Sequence, residues 1–431
     1  MSVDVEASSP QVPVPVTSLR RGVVWSFAGA GIYLACQYLT LMALARLTNK
    51  VAVGEFSLAM AIWTPVIVFS QMQLRQLQVT DVSGRYRFGE YFAFRVIATL
   101  VAMLVVIGVA LFSNYSREML GLIVIVGIAK SIESLSDLAY GRIQRYERRD
   151  LVALSMALRS LGSVVLFTGL LLLTGSLRWV VAGMAVAWGL AVVAYDYPTL
   201  ARVARGESLW EMRSGRFLVS LLWFCLPLGA ATALQTFSAN LPRYFIEAYH
   251  GKSMLALFAV AVAPPALLTM LSAAVCETTL SRAAVYYQQG RLDAFARLAL
   301  KTMLLPTAMG IAVTLLLARY GESILTVLFT AEYRAAAPVM VITAAGITVG
   351  NLAIVGNTII AVGQMYRLQL LGIVLAVALQ VPVCLLLVPR WGAVGAAWSD
   401  FVKYVFCMLF VTAVGMVAYY RRARALAAQS A

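Results

Sequence analysis

The sequence predicts an all-α integral membrane protein of about twelve transmembrane helices arranged as two six-helix lobes. Composition, the length of the apolar runs and a repeat halfway along the chain predict it. Of 431 residues, 61% are hydrophobic and 12% charged, against roughly 45–50% and about 25% in soluble domains. This balance excludes a water-soluble enzyme. It also excludes a disordered chain, which needs low hydrophobicity and high net charge. The runs stay apolar for about 20 residues or more, the length of a spanning helix, rather than alternating over about 10 as in a membrane barrel.

The first element is a cytoplasmic segment, 1–21. It is polar and proline-rich (Pro10, Pro13, Pro15), lacks the apolar region of a cleavable signal, and ends in Arg20 and Arg21. The first lobe, 22–200, has apolar runs at 22–46, 54–78, 90–112, 118–141, 151–174 and 177–200. A basic cytoplasmic linker follows at 201–216. The second lobe, 217–420, has runs at 217–249, 253–275, 295–318, 335–362, 367–388 and 394–420, before a cytoplasmic tail at 421–431.

Charge sets the orientation. Lys and Arg total 34 against 19 Asp and Glu, a net charge of +15. In a soluble protein this would suggest nucleic acid; here the positive-inside rule accounts for it and no nucleic-acid partner is expected. With the N-terminus inside, nineteen basic residues fall in cytoplasmic segments and eight on the other side, so both termini are expected in the cytoplasm of a bacterial inner membrane. The longest external connection is expected at about 319–334, too short to fold as a domain.

The halves repeat. Phe56-x-x-Ala59-x-Ala61 recurs as Phe258-x-x-Ala261-x-Ala263, an offset of 202, each followed by proline (Pro65; Pro264 and Pro265). Six helices per half make these parallel repeats, and transporters place their sites at such interfaces. At the same offset Arg75 corresponds to Glu277. This is either an opposite-charge gate or two charges snorkelling to the interface.

Charges inside spans are costly and mark cavities or pairs. Lys130, Glu133 and Asp137 share one face of the fourth helix, as a self-neutralised cluster or an ion relay. Asn240, Arg243 and Glu247 lie on the seventh. Arg243 either pairs with Glu247 or faces an anionic ligand, since a guanidinium stays charged and grips phosphate bidentately. Gln37, Gln71, Gln235, Asn351 and Asn357 add neutral polar groups suited to helix contacts or sugar hydroxyls. Asp400 and Lys403, three apart, are expected to pair. Gly346 and Gly350 form a G-x-x-x-G for packing within the bundle or between copies. Five scattered cysteines and a single histidine, His250, leave no metal site or catalytic triad, and no phosphate-binding loop is present. No cofactor is expected.

Several phrases together resemble the polysaccharide-biosynthesis flippases, the O-antigen and exopolysaccharide exporters of the multidrug/oligosaccharidyl-lipid/polysaccharide exporter superfamily. They are Gly54-Glu55-Phe56-Ser57-Leu58-Ala59, Leu74-Arg75-Gln76-Leu77-Gln78-Val79-Thr80-Asp81, Leu241-Pro242-Arg243-Tyr244-Phe245-Ile246-Glu247, Leu328-Phe329-Thr330-Ala331-Glu332-Tyr333 and Gly392-Ala393-Val394-Gly395-Ala396-Ala397. The resemblance implies the exporter-flippase fold and a polyprenyl-diphosphate-linked glycan as cargo. Sugar and diphosphate would cross in a central cavity while the tail stays in membrane lipid. It implies Arg243, Arg75 and either Arg95 or Arg159 as anion contacts, and Glu247, Glu133, Asp137 or Glu277 as carriers of a coupling ion. A polysaccharide polymerase and a chain-length regulator are the implied partners. Lipid II flippases of this superfamily usually have two further helices that hold the lipid tail; a twelve-helix reading argues against that branch. The other readings are an ion-coupled multidrug antiporter of the same fold, a glycan-assembly membrane enzyme, or a scaffold in a glycan-assembly complex.

Overall fold

The structure, a computed structural model, describes residues 19–81, 86–113, 115–204, 211, 215–363 and 365–430. Residues 1–18 of the expected N-terminal segment and most of the expected linker, including Arg205 and Arg213, lie outside the described residues. What is described is helical nearly throughout and contains no strand.

The first six spans are Leu19–Leu47; Lys50–Gln71 continued by Leu74–Thr80; Phe88–Phe112; Arg117–Arg145; Arg149–Thr174; and Leu177–Ala191, continued through a π-helical turn at Val192–Asp196 into Tyr197–Val203. The seventh and eighth lie within Arg216–Gln288, and the ninth is Leu292–Leu328. The tenth begins with a 3₁₀ turn, Ala331–Ala336, followed by Ala337–Asn351 and Ile354–Val362; the last two lie within Tyr366–Ser430. Ten continuous stretches are long and apolar enough to cross a membrane. Two of them reverse on a glycine, Gly251 (φ 74) and Gly392 (φ 53), in backbone that side chains avoid, which makes twelve spans. Across Gly392, Gln380 donates to Asp400 at 2.9 Å and Cys384 to Ser399 at 3.2 Å, the pairing of antiparallel helices.

Short polar side chains start the helices where they leave water. Asn49 accepts from the Ala52 amide at 2.9 Å, Ser116 from that of Met119 at 3.3 Å, meeting donors that have no partner in a first turn.

Three elements differ from the sequence expectation. The eighth span continues to Gln288 instead of ending near 275, carrying good helix formers such as Arg282 and Ala283 beyond the apolar run. The ninth continues to Leu328, so the expected external connection at 319–334 is mostly helix. Arg319, Tyr320 and Glu322 interrupt the apolar run there, but Leu325 and Phe329 beyond them are buried in the core. The second span breaks at Met72 and Gln73, both left-handed (φ 42 and 55), seven residues past Pro65. Such backbone costs roughly 1–2 kcal/mol per residue. Gln71, expected as a polar helix residue, sits at this break, and its carbonyl accepts from Arg95 Nη2 at 3.4 Å.

The core explains how the lobes meet. At the end bearing the 47–50 turn and Gly251, one continuous apolar cluster joins both halves: Leu44, Val53, Leu58 and Trp63 of the first with Ile246, Leu255, Phe258 and Val260 of the second. At the opposite end the packing separates. Met72, Leu74, Tyr91, Leu138, Tyr140 and Leu200 form one cluster, on which Leu221 and Cys225 of the seventh span lean. Ala283, Phe295, Ala299 and Ile359 form another. The lobes are joined broadly at one end; at the other the start of the seventh span bridges two otherwise separate clusters. Gly346 and Gly350 lie against the ring of Tyr404, so packing inside the bundle uses that motif.

Gly54 lets the joined end close. A Cβ there would stand 2.0 Å from the Lys252 carbonyl oxygen, whereas at Gly31 it would meet nothing within 4 Å. Gly54→Ala is therefore expected to cost about 1–3 kcal/mol, the scale of an overpacked core. Thermal unfolding in detergent should show a lower melting temperature for it and none of that loss for Gly31→Ala.

Candidate functional site

Between the lobes lies a cavity of about 280 Å³ walled by spans one, two, five, six, seven and eight. Tyr33, Gln37, Thr40, Ser57, Thr64, Ser160 and Ser163 supply polar groups, Phe56, Met60 and Trp188 apolar ones, and Arg243 the charge. No carboxylate lies among its described lining residues.

Arg243 is placed by its own helix. Its Nη1 donates to Asn240 Oδ1 at 2.6 Å, and Asn240 donates to the Thr236 carbonyl at 2.9 Å. The bonded partner is thus a neutral amide, three residues back, rather than Glu247. Arg243 Nε is buried and makes no hydrogen bond. Tyr244 fixes the same turn to the second span by donating to the Ala61 carbonyl at 2.6 Å. Behind Arg243, Ser238 donates to Gln380 at 2.6 Å, and Gln380 reaches Asp400, which pairs with Lys403 at 2.6 Å.

The other predicted residues are distributed differently. Gln37 lines the cavity and donates to the Tyr33 hydroxyl. Tyr33 in turn donates to Glu133 at 3.0 Å, so Glu133 stands one layer behind the wall. Lys130 pairs with Glu133 at 2.8 Å and Arg159 with it at 3.4 Å. Arg159 also stacks over Tyr33, Tyr140 and Trp188 at 5.4–5.9 Å. Asp137 belongs to a second group, with Arg75 at 3.1 Å and Arg95 at 3.5 Å. Arg75 additionally donates to Gln144 at 3.2 Å and lies over Tyr140. The fourth-helix triplet therefore divides between two ion clusters. Arg75 is held inside its own lobe; the side chain of Glu277 lies outside the described residues. Gln71 and Gln235 are off the described cavity wall, Gln235 being exposed, and Asn351 ties the tenth span to the Pro306 carbonyl at 3.2 Å.

Sequence reasoning missed four features. Tyr33 carries the link from cavity to ion cluster. On the fifth span Ser160 and Ser163 extend a polar face from Arg159, itself named above, visible in their spacing from Ser155. Asp196, fully buried at the π turn, accepts from Ser136 at 2.5 Å and from Ser155. Across the joined end, Lys252 pairs with Glu55 at 2.7 Å and Lys50 with Glu332 at 3.4 Å. Lys50 and Lys252 stand at the repeat offset of 202, and each reaches an acid of the other lobe.

The chain is 22% identical over 388 residues to the capsular polysaccharide biosynthesis protein CapF of Staphylococcus aureus, covering 90% of this chain and 95% of that one. No protein-family model matches it. Among solved structures it resembles the lipid II flippase MurJ in an inward closed conformation, with a TM-score of 0.76 at 10% identity over 93% of this chain and 90% of that one. It also resembles the Vibrio cholerae MATE transporter VcmN, with 0.66 at 11% identity over 94% and 96%. A MOP superfamily transporter from Pyrococcus furiosus gives 0.64 at 14% identity over 94% and 95%. The fold is thus that of the flippases and exporters of this superfamily, in a multi-pass membrane protein. The sequence resemblance to polysaccharide exporters agrees with the likeness to CapF.

Magnitudes separate the two kinds of ion pair. Glu133→Gln leaves Lys130 and Arg159 without their carboxylate inside the bundle, at a cost of about 3–5 kcal/mol. Glu55→Gln at the seal, where both partners are 26% exposed, costs about 1 kcal/mol or less. Melting temperatures of the purified variants should fall sharply for the first and barely for the second.

Proposed function

We propose that the chain is a flippase for an undecaprenyl-diphosphate-linked oligosaccharide repeat unit. It would move the unit from the cytoplasmic to the outer face of the bacterial inner membrane, by alternating access, for cell-surface polysaccharide assembly. The observation that carries this reading is Arg243: a charged guanidinium on the wall of the inter-lobe cavity whose bonded partner is only an amide. A diphosphate cannot cross about 30 Å of hydrocarbon unaided, and a guanidinium offers it paired donors. The surrounding hydroxyls of Tyr33, Ser57, Ser160 and Ser163 suit sugar. At about 280 Å³ the cavity falls near the low end of ligand pockets, roughly 300–1,000 Å³. It takes the diphosphate and adjoining sugar, and the remaining glycan extends between the lobes.

In this reading lobes 22–200 and 217–420 rock against each other about the 201–216 linker. The termini, 1–21 and 421–431, lie in the cytoplasm. The joined end faces outward, as the loop charges indicate, so the conformation is the one that loads cargo from inside. Outward opening breaks the Glu55–Lys252 and Lys50–Glu332 pairs. Released units pass to a polysaccharide polymerase and a chain-length regulator. A cationic-drug antiporter needs anionic groups in its cavity, and the described wall offers a cation instead. For the enzyme reading, His250 is the one histidine, and it bonds the Val388 carbonyl at 2.8 Å beside the reversals, away from the cavity.

In the native host, Arg243→Ala should leave an inserted, folded protein and complete lipid-linked units accumulating on the cytoplasmic face. Arg243→Lys should recover part of the export, since an ammonium keeps the charge and loses the fork. Normal surface glycan with Arg243→Ala would overturn the proposal. The seal has its own test, a cysteine at Ser57 labelled by an impermeant thiol reagent from outside. Glu55→Lys should raise labelling, and adding Lys252→Glu should bring it back down.

A further inference from the structure

A second cavity lies apart from this site. Spans two, three and seven leave a groove of about 970 Å³ between them. Its walls are almost wholly apolar: Phe69 on the second span, Phe94 to Ser113 along the third, and Ala233, Phe237 and Tyr244 on the seventh.

Two features define what fits there. The first is length. Nineteen residues separate Phe94 from Ser113, about 28 Å of helix at 1.5 Å per residue, close to the roughly 30 Å hydrocarbon thickness. An ordinary phospholipid acyl chain fills one leaflet, about half that depth. A groove unbroken through both leaflets suits one hydrocarbon chain longer than a leaflet. The second is continuity with the charged site. Tyr244 on the groove wall follows Arg243 on the cavity wall. Its bond to the Ala61 carbonyl holds it beside Ile62, another groove residue. A head group at Arg243 and a tail in the groove are one residue apart along the seventh span.

We propose that this groove holds the polyprenyl chain of the cargo while the diphosphate rests at Arg243. The inference rests on the flippase reading above. The gain is close packing alone, because lipid is as apolar as the groove, so the chain-length preference is modest.

The test uses the full chain in phospholipid nanodiscs, with undecaprenyl diphosphate and farnesyl diphosphate as probes. Bulk phospholipid competes throughout. The wild type should bind the longer chain about fivefold more tightly, a packing-sized preference. Ala98→Phe with Ala233→Phe fills the groove from two walls. It should reduce undecaprenyl diphosphate to the farnesyl level and leave farnesyl diphosphate unchanged, which also shows that the variant is folded. Arg243→Ala should weaken both probes alike. A filled groove that keeps the preference overturns the tail site and leaves the flippase reading standing, as does a wild type that binds both chain lengths equally. A wild type that binds neither probe overturns the flippase reading, and the tail site with it.

Discussion

A charge inside hydrocarbon has to be met by another group of the protein, and this requirement organises the bundle. Each ionised side chain at the centre of a span costs about 2.5–3.5 kcal/mol on insertion. Glu133 gathers Lys130, Arg159 and the Tyr33 hydroxyl, which sets the rotation of spans one, four and five against one another. Asp137 gathers Arg75 and Arg95, fixing spans two and three on the fourth. In the second lobe, Asp400 with Lys403 and Gln380 holds the last two spans, and Ser238 brings in the seventh. The functional candidate is the side chain that departs from this rule. Arg243 hydrogen-bonds a neutral amide, Asn240, and feels a carboxylate only at longer range, that of Asp400, so it keeps donors for the cavity.

The two classes of contact divide the molecule into stiff and separable parts. Within the first lobe the Glu133 cluster is buried, and removing one partner strands the others. Between the lobes Glu55 and Lys252 are partly exposed, as Arg75 and Asp137 are, and Lys50–Glu332 is more open still, so each pair is worth less. The joined end is held by apolar packing around Trp63, Leu255 and Phe258. A contact of that kind forms and releases without leaving a buried charge behind, which suits an interface that opens.

Apolar length was legible in the chain, and so the twelve spans and their class were too: a run of about twenty apolar residues has few other fates. Where hydropathy and helix part company, the reading failed. The ninth span crosses the polar stretch at Arg319 and Glu322 because Leu325 and Phe329 still have a core to fill. The break at Met72–Gln73 carries neither glycine nor proline, so no local signal marks it. The ion clusters were only half legible. Spacing puts Lys130, Glu133 and Asp137 on one face, but which cations meet them depends on how three other helices are rotated. The cavity wall at Tyr33 and Ser160 depends on the same rotations, while Arg243 stood out because a guanidinium in a span always requires an explanation.

The asymmetry of the core carries a thermal consequence. In the proposed transport cycle the joined end is an apolar contact that opening would wet. Exposure of apolar surface to water raises heat capacity, and such contacts weaken on cooling. The Glu55–Lys252 and Lys50–Glu332 pairs across the same end answer instead to ionic strength. In that cycle temperature and salt would act on different components of one closure, giving the balance between shut and open two independent physical controls.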